Sequence, residues 1–333
     1  MRLLRLVLSA FLALLLCSCT TIDWMANPYT EYPADTYVCA LGFGDSVASA
    51  DLNAKAELAS LFGIGIRSTI SNTIKESSTQ RNGNAMNSFS EFFSSESYIT
   101  VSADNLIGVQ IAKRTKDRAG DCVSLAVMER KTTAEYYLSR IQANRSIIDA
   151  LVTSASLKTG SLTAVLDAVD AVRKANELNL EIAVYRFLSG NVFEYLRISE
   201  VRDVYRNAME ALSLIVSVEG DETGVIRTAL AKVLTEAGFS VSNDIDKPSA
   251  CVVATIAWKQ SAGTGSAESF VFADYQIDVS MVDLHDGGTL VVLSDRGKEG
   301  HQTFDGALAR AKKDIEAFLN ERLKTALIER FTI

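Results

Sequence analysis

Ser46 is the side chain with the clearest potential for chemistry. It follows Gly44 and Asp45 at the point where a predicted strand (residues 37–44) meets a predicted helix. A serine acts as a nucleophile only where a base accepts its proton and donors stabilise the oxyanion. At such a junction a serine or an aspartate also caps the helix, by accepting a hydrogen bond from a backbone amide. We expect this capping role for Asp45 or Ser46.

An esterase is the alternative interpretation of the same residues. Residues 44–47 (Gly-Asp-Ser-Val) resemble the GDS-type block of a family of serine esterases. The resemblance implies Ser46 as the nucleophile, with its base in an Asp-x-x-His block near the C-terminus. The nearest approach is Asp-Leu-His at residues 283–285, which is one residue short and falls in a predicted hairpin turn. The family's Gly-x-Asn-Asp block for the oxyanion does not occur around Asn243.

The sequence contains no motif that is typical of a metal or cofactor site. The chain has two histidines, His285 and His301, and no Cys-x-x-Cys pair, so a zinc site of the usual spacing is absent from the sequence. The carboxylates at residues 117–121 and 283–286 are typical of solvated turns, because a calcium loop needs more oxygen ligands at set spacings. The sequence therefore predicts no metal, no cofactor and no catalytic residue, and a protein that is not an enzyme.

The N-terminus points to a different chemistry, the acylation of a cysteine thiol. Two arginines precede an apolar run over residues 6–16, which ends in Leu-Cys-Ser-Cys. A basic start, a short apolar middle and small residues are the three parts of a secretory signal. The run is shorter than the ~20 residues that span a bilayer. The stretch resembles the signal of a bacterial lipoprotein, which implies cleavage after Ser18 and acylation of Cys19, as with palmitate.

The residue after Cys19 indicates the membrane in which the protein is expected. In the sorting rule of such lipoproteins an aspartate there retains the protein in the inner membrane, so Thr20 implies the outer membrane. Each buried acyl methylene adds ~0.8 kcal/mol of membrane affinity, and two or three chains therefore anchor a protein stably. We expect a signal peptide at 1–18, a tether at 19–35 and a protein held on the periplasmic face. A secretory signal cleaved elsewhere stays open, because Cys17 is also available.

Charge excludes one class of partner. The 333-residue chain has a formal net charge of −8. The signal removes two arginines and no acidic residue, leaving 31 basic against 41 acidic side chains. Nucleic acid is therefore not an expected partner, because binding it requires a basic surface. The expected partners are the membrane, through the acyl chains, and an envelope protein or the cell wall.

Three cysteines follow the anchor, namely Cys39, Cys122 and Cys251. Cys39 and Cys122 fall in predicted strands of one domain and could form a disulfide if those strands are neighbours. We favour the alternative, in which all three are small buried side chains.

Hydrophobic periodicity predicts an α+β fold with two small domains, each with helices packed on a mostly antiparallel sheet, joined by a helical hairpin. The domains are expected at 36–138 and 191–333, with the hairpin at 139–190. The strands of the first domain are expected at 37–44, 64–74, 106–113 and 121–128, and its helix begins at Val47. The hairpin helices are expected at 129–158 and 162–188. In the second domain we expect strands at 212–218, 239–242, 251–258, 275–281 and 290–293, with helices at 222–237 and 305–331.

The first domain resembles the LPP-twenty family of bacterial lipoproteins. The matching features are the glycine-closed strand at 40–44, the alanine-rich helix at 50–59, the alternating segment at 64–74, and the strands at 106–111 and 123–130. The resemblance implies a small α+β domain on a lipid tether in the outer membrane, with a role in envelope or flagellar assembly or as a surface antigen. It brings no catalytic residue with it. We therefore expect a non-enzymatic lipoprotein with an interaction or assembly role. The alternatives are the esterase and a periplasmic lipoprotein that binds a soluble ligand.

Overall fold

The computed structural model describes residues 24–79, 107–242, 248–264 and 269–333. These residues form two compact units. Unit 1 contains the described residues up to 141 together with 180–195, and unit 2 contains 142–179 and 196–333. Each unit has one sheet with helices, which confirms the α+β fold class. In the described part of the chain no helix is long and apolar enough to cross a membrane.

Unit 1 has a three-stranded antiparallel sheet in the order β1-β3-β2. Its strands and first helix are β1 (Tyr37–Gly44), α1 (Val47–Thr79), β2 (Val109–Lys116) and β3 (Cys122–Glu129). The helices α2 (Arg130–Leu157) and α3 (Leu162–Ser189) follow, and the boundary between the units falls inside both. The predictions of β1, β3, α2 and α3 are confirmed to within one residue at each end. Strand β2 begins and ends three residues later than predicted.

Helix α1 packs on one face of this sheet, which we call the inner face. Its apolar side chains recur three or four residues apart, as a one-sided helix requires. Leu58, Phe62 and Ile66 are fully buried. Gly42 permits the close contact, because a Cβ there would lie 2.0 Å from the backbone nitrogen of Ala54.

The predicted strand at 64–74 is wrong, because α1 continues through this segment. The alternating isoleucines do not share a buried face, since Ile66 is fully buried and Ile64 is 57% exposed. The spacing of four from Phe62 to Ile66 continues the buried stripe of the helix instead. Gly65 serves packing, because a Cβ there would come within 2.1 Å of the Phe187 ring. Phe187 also meets Phe62 edge to face, with ring centroids 5.3 Å apart.

Unit 2 has a four-stranded sheet in the order β4-β5-β6-β7. Strands β4 and β5 are parallel, and the other two pairs are antiparallel. The strands are β4 (Leu214–Glu219), β5 (Ala250–Ala262), β6 (Val271–Asp283) and β7 (Thr289–His301). Its further helices are α4 (Ile198–Ala211), α5 (Val225–Glu236), α6 (Phe304–Phe318) and α7 (Lys324–Phe331), with a π turn (Leu319–Leu323) between the last two. One apolar core joins the helices to one face of the sheet.

Unit 2 differs from the sequence prediction in several elements, including strands β5 and β6, which are longer than the predicted 251–258 and 275–281. Helix α4 was not predicted, although Val201, Tyr205 and Ala208 lie on one side of it. The predicted strand at 239–242 is reduced to a single bridge between Val241 and Leu214. Strand β7 extends far beyond the predicted 290–293. The prediction ends early because the second half of the strand is polar on the face that no helix covers.

Candidate functional site

Cys19, the predicted lipid-attachment residue, lies outside the described residues, as does the whole predicted signal peptide. The described chain begins at Trp24, four residues after Thr20. What the structure describes next to the predicted anchor is the segment of residues 24–36, which we call the strap.

The strap packs against the outer face of the unit 1 sheet, opposite α1. Trp24 and Tyr32 contact a buried apolar cluster of Cys39, Leu125 and Val127. Aromatic side chains remove large apolar areas from water, so two of them hold a short segment effectively. The sequence predicts this segment to be part of the tether at 19–35. The described part of this segment instead lies on the sheet.

Polar contacts fix the strap at one edge of the sheet and at the end of its central strand. Glu31 forms an ion pair with Lys113 on β2. Arg130, which follows β3, donates its Nε to the Ala34 carbonyl at 2.9 Å. Within the strap, a 3-10 turn (Pro28–Thr30) is capped by Asn27, whose Oδ1 accepts from the Tyr29 amide at 3.1 Å. The strap is thus held by all three strands or the residues next to them.

Cys39 lies under the strap as a free thiol. Its Sγ is 3.9 Å from the Tyr32 carbonyl oxygen, and burial raises its pKa to about 11. The disulfide that the sequence left open is not formed, since Cys39 is paired in register with Val127 and Cys122 with Gly44. Cys39 and Cys122 are buried as favoured, whereas Cys251 is only partly buried.

Ser46 caps α1. Its Oγ accepts a hydrogen bond from the Ser49 amide at 3.2 Å, three residues into the helix. This is the geometry of a residue at the N-cap position, and it confirms the predicted capping role. Asp283 and His285 belong to unit 2, whereas Ser46 belongs to unit 1.

Asp283 caps a second helix over a long sequence distance. Its carboxylate is 1% exposed, and Oδ2 accepts from the Leu162 amide at 2.8 Å and the Thr163 amide at 3.3 Å. Oδ1 accepts from the His285 amide at 2.9 Å, and the His285 ring nitrogen Nδ1 is 3.5 Å away. A carboxylate is well placed there, because the first amides of α3 have no partner within the helix.

The other carboxylate clusters also hold turns together. Asp117 Oδ1 accepts from the amides of Ala119 and Asp121, at 2.8 Å and 2.9 Å. Asp286 Oδ1 accepts from the Gly288 amide at 2.7 Å. Over the residues that the structure describes, no three His, Cys, Asp or Glu side chains come together as metal ligands.

The sequence analysis missed a polar network between α1 and the sheet. Asp51 on α1 accepts three hydrogen bonds from Arg114, at 3.0, 3.2 and 2.9 Å, and one from the buried Ser124 hydroxyl at 2.5 Å. The hydrogen bond from Arg114, and then that from Ser124, lowers the pKa of Asp51 against the opposing effect of burial. The clue in the sequence was an aspartate on the apolar side of a predicted amphipathic helix.

Unit 2 has a polar outer face, opposite its helices, and its described residues also form a groove. On the outer face Asp274 accepts from Ser261 at 2.6 Å and lies 3.4 Å from Lys298. The groove has a volume of about 660 Å³ and lies beside β7, which pairs on one side only, with β6. Its walls come from α3, β7 and α7 and include Leu166, Arg173, Leu290, Val292 and Glu329.

Comparisons with known proteins give distant likenesses. No protein-family model matches the chain, and no curated protein matches it by sequence. A secreted protein from Helicobacter pylori is similar in structure over 86% of this chain and 98% of its own, with 12% identity and a TM-score of 0.44. A minor lipoprotein from Acinetobacter baumannii is similar over 34% of this chain and 93% of its own (14% identity, TM-score 0.26). A lipoprotein from Neisseria meningitidis is similar over 33% and 99% (15% identity, TM-score 0.23). The solved structures that the chain resembles thus include bacterial lipoproteins, and likeness at this level does not establish a shared function.

Proposed function

We propose that the chain is a bacterial envelope lipoprotein, cleaved after Ser18 and acylated on Cys19. The observation that carries the proposal is the Leu-Cys-Ser-Cys sequence at residues 16–19, directly after a basic start and a short apolar run. Acyl chains on Cys19 anchor the protein without a membrane-spanning helix.

Its location is proposed to be the outer membrane, on the periplasmic face. Thr20 supports this location, because the inner-membrane retention signal is an aspartate at that position. The resemblance of residues 37–138 to the LPP-twenty family supports the same location. Membership in that family is part of the proposal and predicts an interaction or assembly role.

A non-enzymatic role is supported by the uses of the candidate catalytic groups. The Ser46 hydroxyl accepts the hydrogen bond that caps α1. The Asp283 carboxylate accepts from three backbone amides, which fixes it as a structural group. We propose that the protein binds an envelope protein or the cell wall, and that it does not turn over a substrate.

Palmitate labelling tests the anchor. We expect labelled wild-type protein in the membrane fraction and unlabelled, signal-bearing precursor in Cys19→Ser. Cys17→Ser is the matched control, because it removes the neighbouring thiol and leaves the proposed lipid-attachment residue in place. Equal labelling of wild type and Cys19→Ser would refute acylation at Cys19.

The enzyme alternative needs its own test. We expect wild type and Ser46→Ala to hydrolyse activated esters equally, at the background rate of the buffer. Ser46→Asp is a useful companion, because an aspartate keeps the helix cap and removes the nucleophile. Hydrolysis that both replacements abolish would establish the esterase and contradict the proposed role.

A further inference from the structure

The short distance between Cys19 and the strap has a geometric consequence. Five residue steps separate Cys19 from Trp24. A fully extended chain spans at most 3.6 Å per residue, so Trp24 lies within about 18 Å of Cys19. If residues 19–36 all formed an extended spacer, the sheet would begin up to about 60 Å away. The inference below rests on the proposed acylation of Cys19.

Because the strap is docked on the sheet, the limit on the distance from Cys19 to Trp24 also limits the distance from Cys19 to unit 1. Trp24 and Tyr32 contact the outer face, and the strap is also held by Lys113 on the edge strand β2 and by Arg130 at the end of the central strand β3. Because the strap is fixed to the sheet, it adds no free length beyond Trp24. The side of the sheet that carries the strap therefore remains close to the acyl chains.

The exposed chemistry of the strap suits a lipid headgroup layer. Trp24 is half-buried on the sheet and Tyr29 is 39% exposed. Tryptophan and tyrosine favour the membrane–water interface, where an apolar ring and a polar tip are both accommodated. Residues 24–36 contain no lysine or arginine, so attraction to anionic lipids is not the source of contact.

We propose that the strap holds the outer face of the unit 1 sheet against the phospholipid headgroups, with Trp24 and Tyr29 at the contact. The strap is then a membrane-apposed surface, and its position is set by the short chain that follows Cys19. Helix α1, on the opposite face of the sheet, points away from the bilayer.

Fluorescence quenching by headgroup-labelled lipid tests this arrangement. The full-length lipoprotein with Trp258→Phe keeps Trp24 as its one tryptophan. It is reconstituted in phosphatidylcholine vesicles that contain a nitroxide on the headgroup. The matched control carries Trp24→Phe, Trp258→Phe and Leu52→Trp, because Leu52 is 59% exposed on α1. We expect quenching of Trp24 to exceed that of the control roughly twofold, since the helix adds about 10 Å of distance from the headgroups.

A lengthened chain provides the second arm. Insertion of a flexible ten-residue Gly-Ser segment between Asp23 and Trp24 keeps the anchor and the docked strap but adds about 18 Å of average reach. We expect this insertion to reduce Trp24 quenching toward that of the Leu52→Trp control. Quenching that is equal in Trp24 and control proteins, or unchanged by the insertion, would overturn the inference.

The two proposals fail in different ways. If Cys19 is not acylated, the protein does not float with the vesicles and carries no palmitate, and the proposed function fails. If the protein floats and is labelled but Trp24 is quenched no more than the control, only the membrane-apposed strap is rejected.

Discussion

The two sheets of the molecule are each covered by helices on one face, and they differ on the other. In unit 1 the central strand β3 is buried on both faces from Cys122 to Met128. In unit 2 the strand β6 alternates, with Ile277 and Val279 buried and Gln276 and Asp278 exposed. An apolar run without alternation is typical of a strand covered on both sides, whereas alternation is typical of a sheet with one wet face.

The difference explains why the sheet of unit 1 needs the strap, whereas the described residues of unit 2 include no comparable cover. Cys39, Leu125 and Val127 would be exposed apolar side chains if Trp24 and Tyr32 were removed. The outer face of unit 2 is instead covered with polar pairs, such as Asp278 with the Ser294 hydroxyl at 2.5 Å. The first sheet therefore depends on the segment next to the proposed anchor, and the described part of the second sheet does not depend on such a segment.

The largest difference between the two outer faces should appear when a carboxylate is introduced on each. Val127→Asp places a carboxylate beneath the strap, next to Cys39 and without a cation in register, and should destabilise unit 1 by more than about 3 kcal/mol. Gln276→Asp makes the same kind of change on the exposed face of β6, opposite Arg296, and should shift stability by less than about 0.5 kcal/mol.

Each unit contains one tryptophan, so urea unfolding can be followed separately for Val127→Asp in a Trp258→Phe chain and for Gln276→Asp in a Trp24→Phe chain. Similar losses in the two variants would contradict the comparison.

Carboxylates on the two faces of the unit 2 sheet should also differ. Asp283→Ala leaves the Leu162, Thr163 and His285 amides without their acceptor in a buried place, and should cost about 3 kcal/mol. Asp278→Ala removes an exposed acceptor and should cost less than about 0.5 kcal/mol. Trp258 fluorescence in urea measures both, and an Asp283→Ala protein as stable as wild type would show that the helix cap is dispensable.

The strap itself should contribute a smaller amount. Tyr32→Ala removes the edge-to-face pair with Tyr37, whose ring centroids are 5.3 Å apart, and should cost about 1.5 kcal/mol. Tyr29→Ala is the control, since that ring is exposed on the same segment.

Cys39 reports the opening of the strap. In a chain whose other four cysteines are replaced by alanine, Tyr32→Ala should speed the reaction of Cys39 with a thiol reagent roughly tenfold, because exposure restores an ordinary thiol pKa. An unchanged rate would mean that Tyr32 does not protect the thiol.

Local patterns were sufficient for much of this fold. The glycine-closed β1, the start of α1 at Val47 and the two long helices follow from period and capping. The alternation at 64–74 predicts a strand, whereas Ile66 continues the buried helical stripe of Leu58 and Phe62, and a short apolar run fits both periods. The predicted β7 ends at Leu293 because the polar half of the strand beyond this residue has no apolar alternation.

The candidate sites needed information that periodicity does not contain. Asp283 acts on an amide 121 positions away at Leu162, and no local signal marks such a partner. The strap has two prolines and no hydrophobic period, so its sequence predicts only a tether. The sequence signal for its docking lies in β3 instead. The unbroken apolar run of that strand indicates that the face opposite α1 is also covered.

The smallest expected difference between the two units is in how acid changes their free energy of unfolding. The pKa of Asp51 is lowered, first by its hydrogen bond from Arg114, and the pKa of Asp274 is lowered, first by its hydrogen bond from Ser261. A lowered pKa in the folded state stabilises the protein above the unfolded value of 3.8, and this stabilisation is lost as pH falls through the folded pKa. Solvent screening limits the contribution of Asp51 to about 1 kcal/mol and that of Asp274 to less than about 0.5 kcal/mol. Wild type should therefore exceed Asp51→Asn in urea stability at pH 7 and converge with it as pH falls through the lowered pKa of Asp51, whereas Asp274→Asn should track wild type throughout. A difference between wild type and Asp51→Asn that persists unchanged in acid would show that Asp51 stabilises α1 by shape and not by charge.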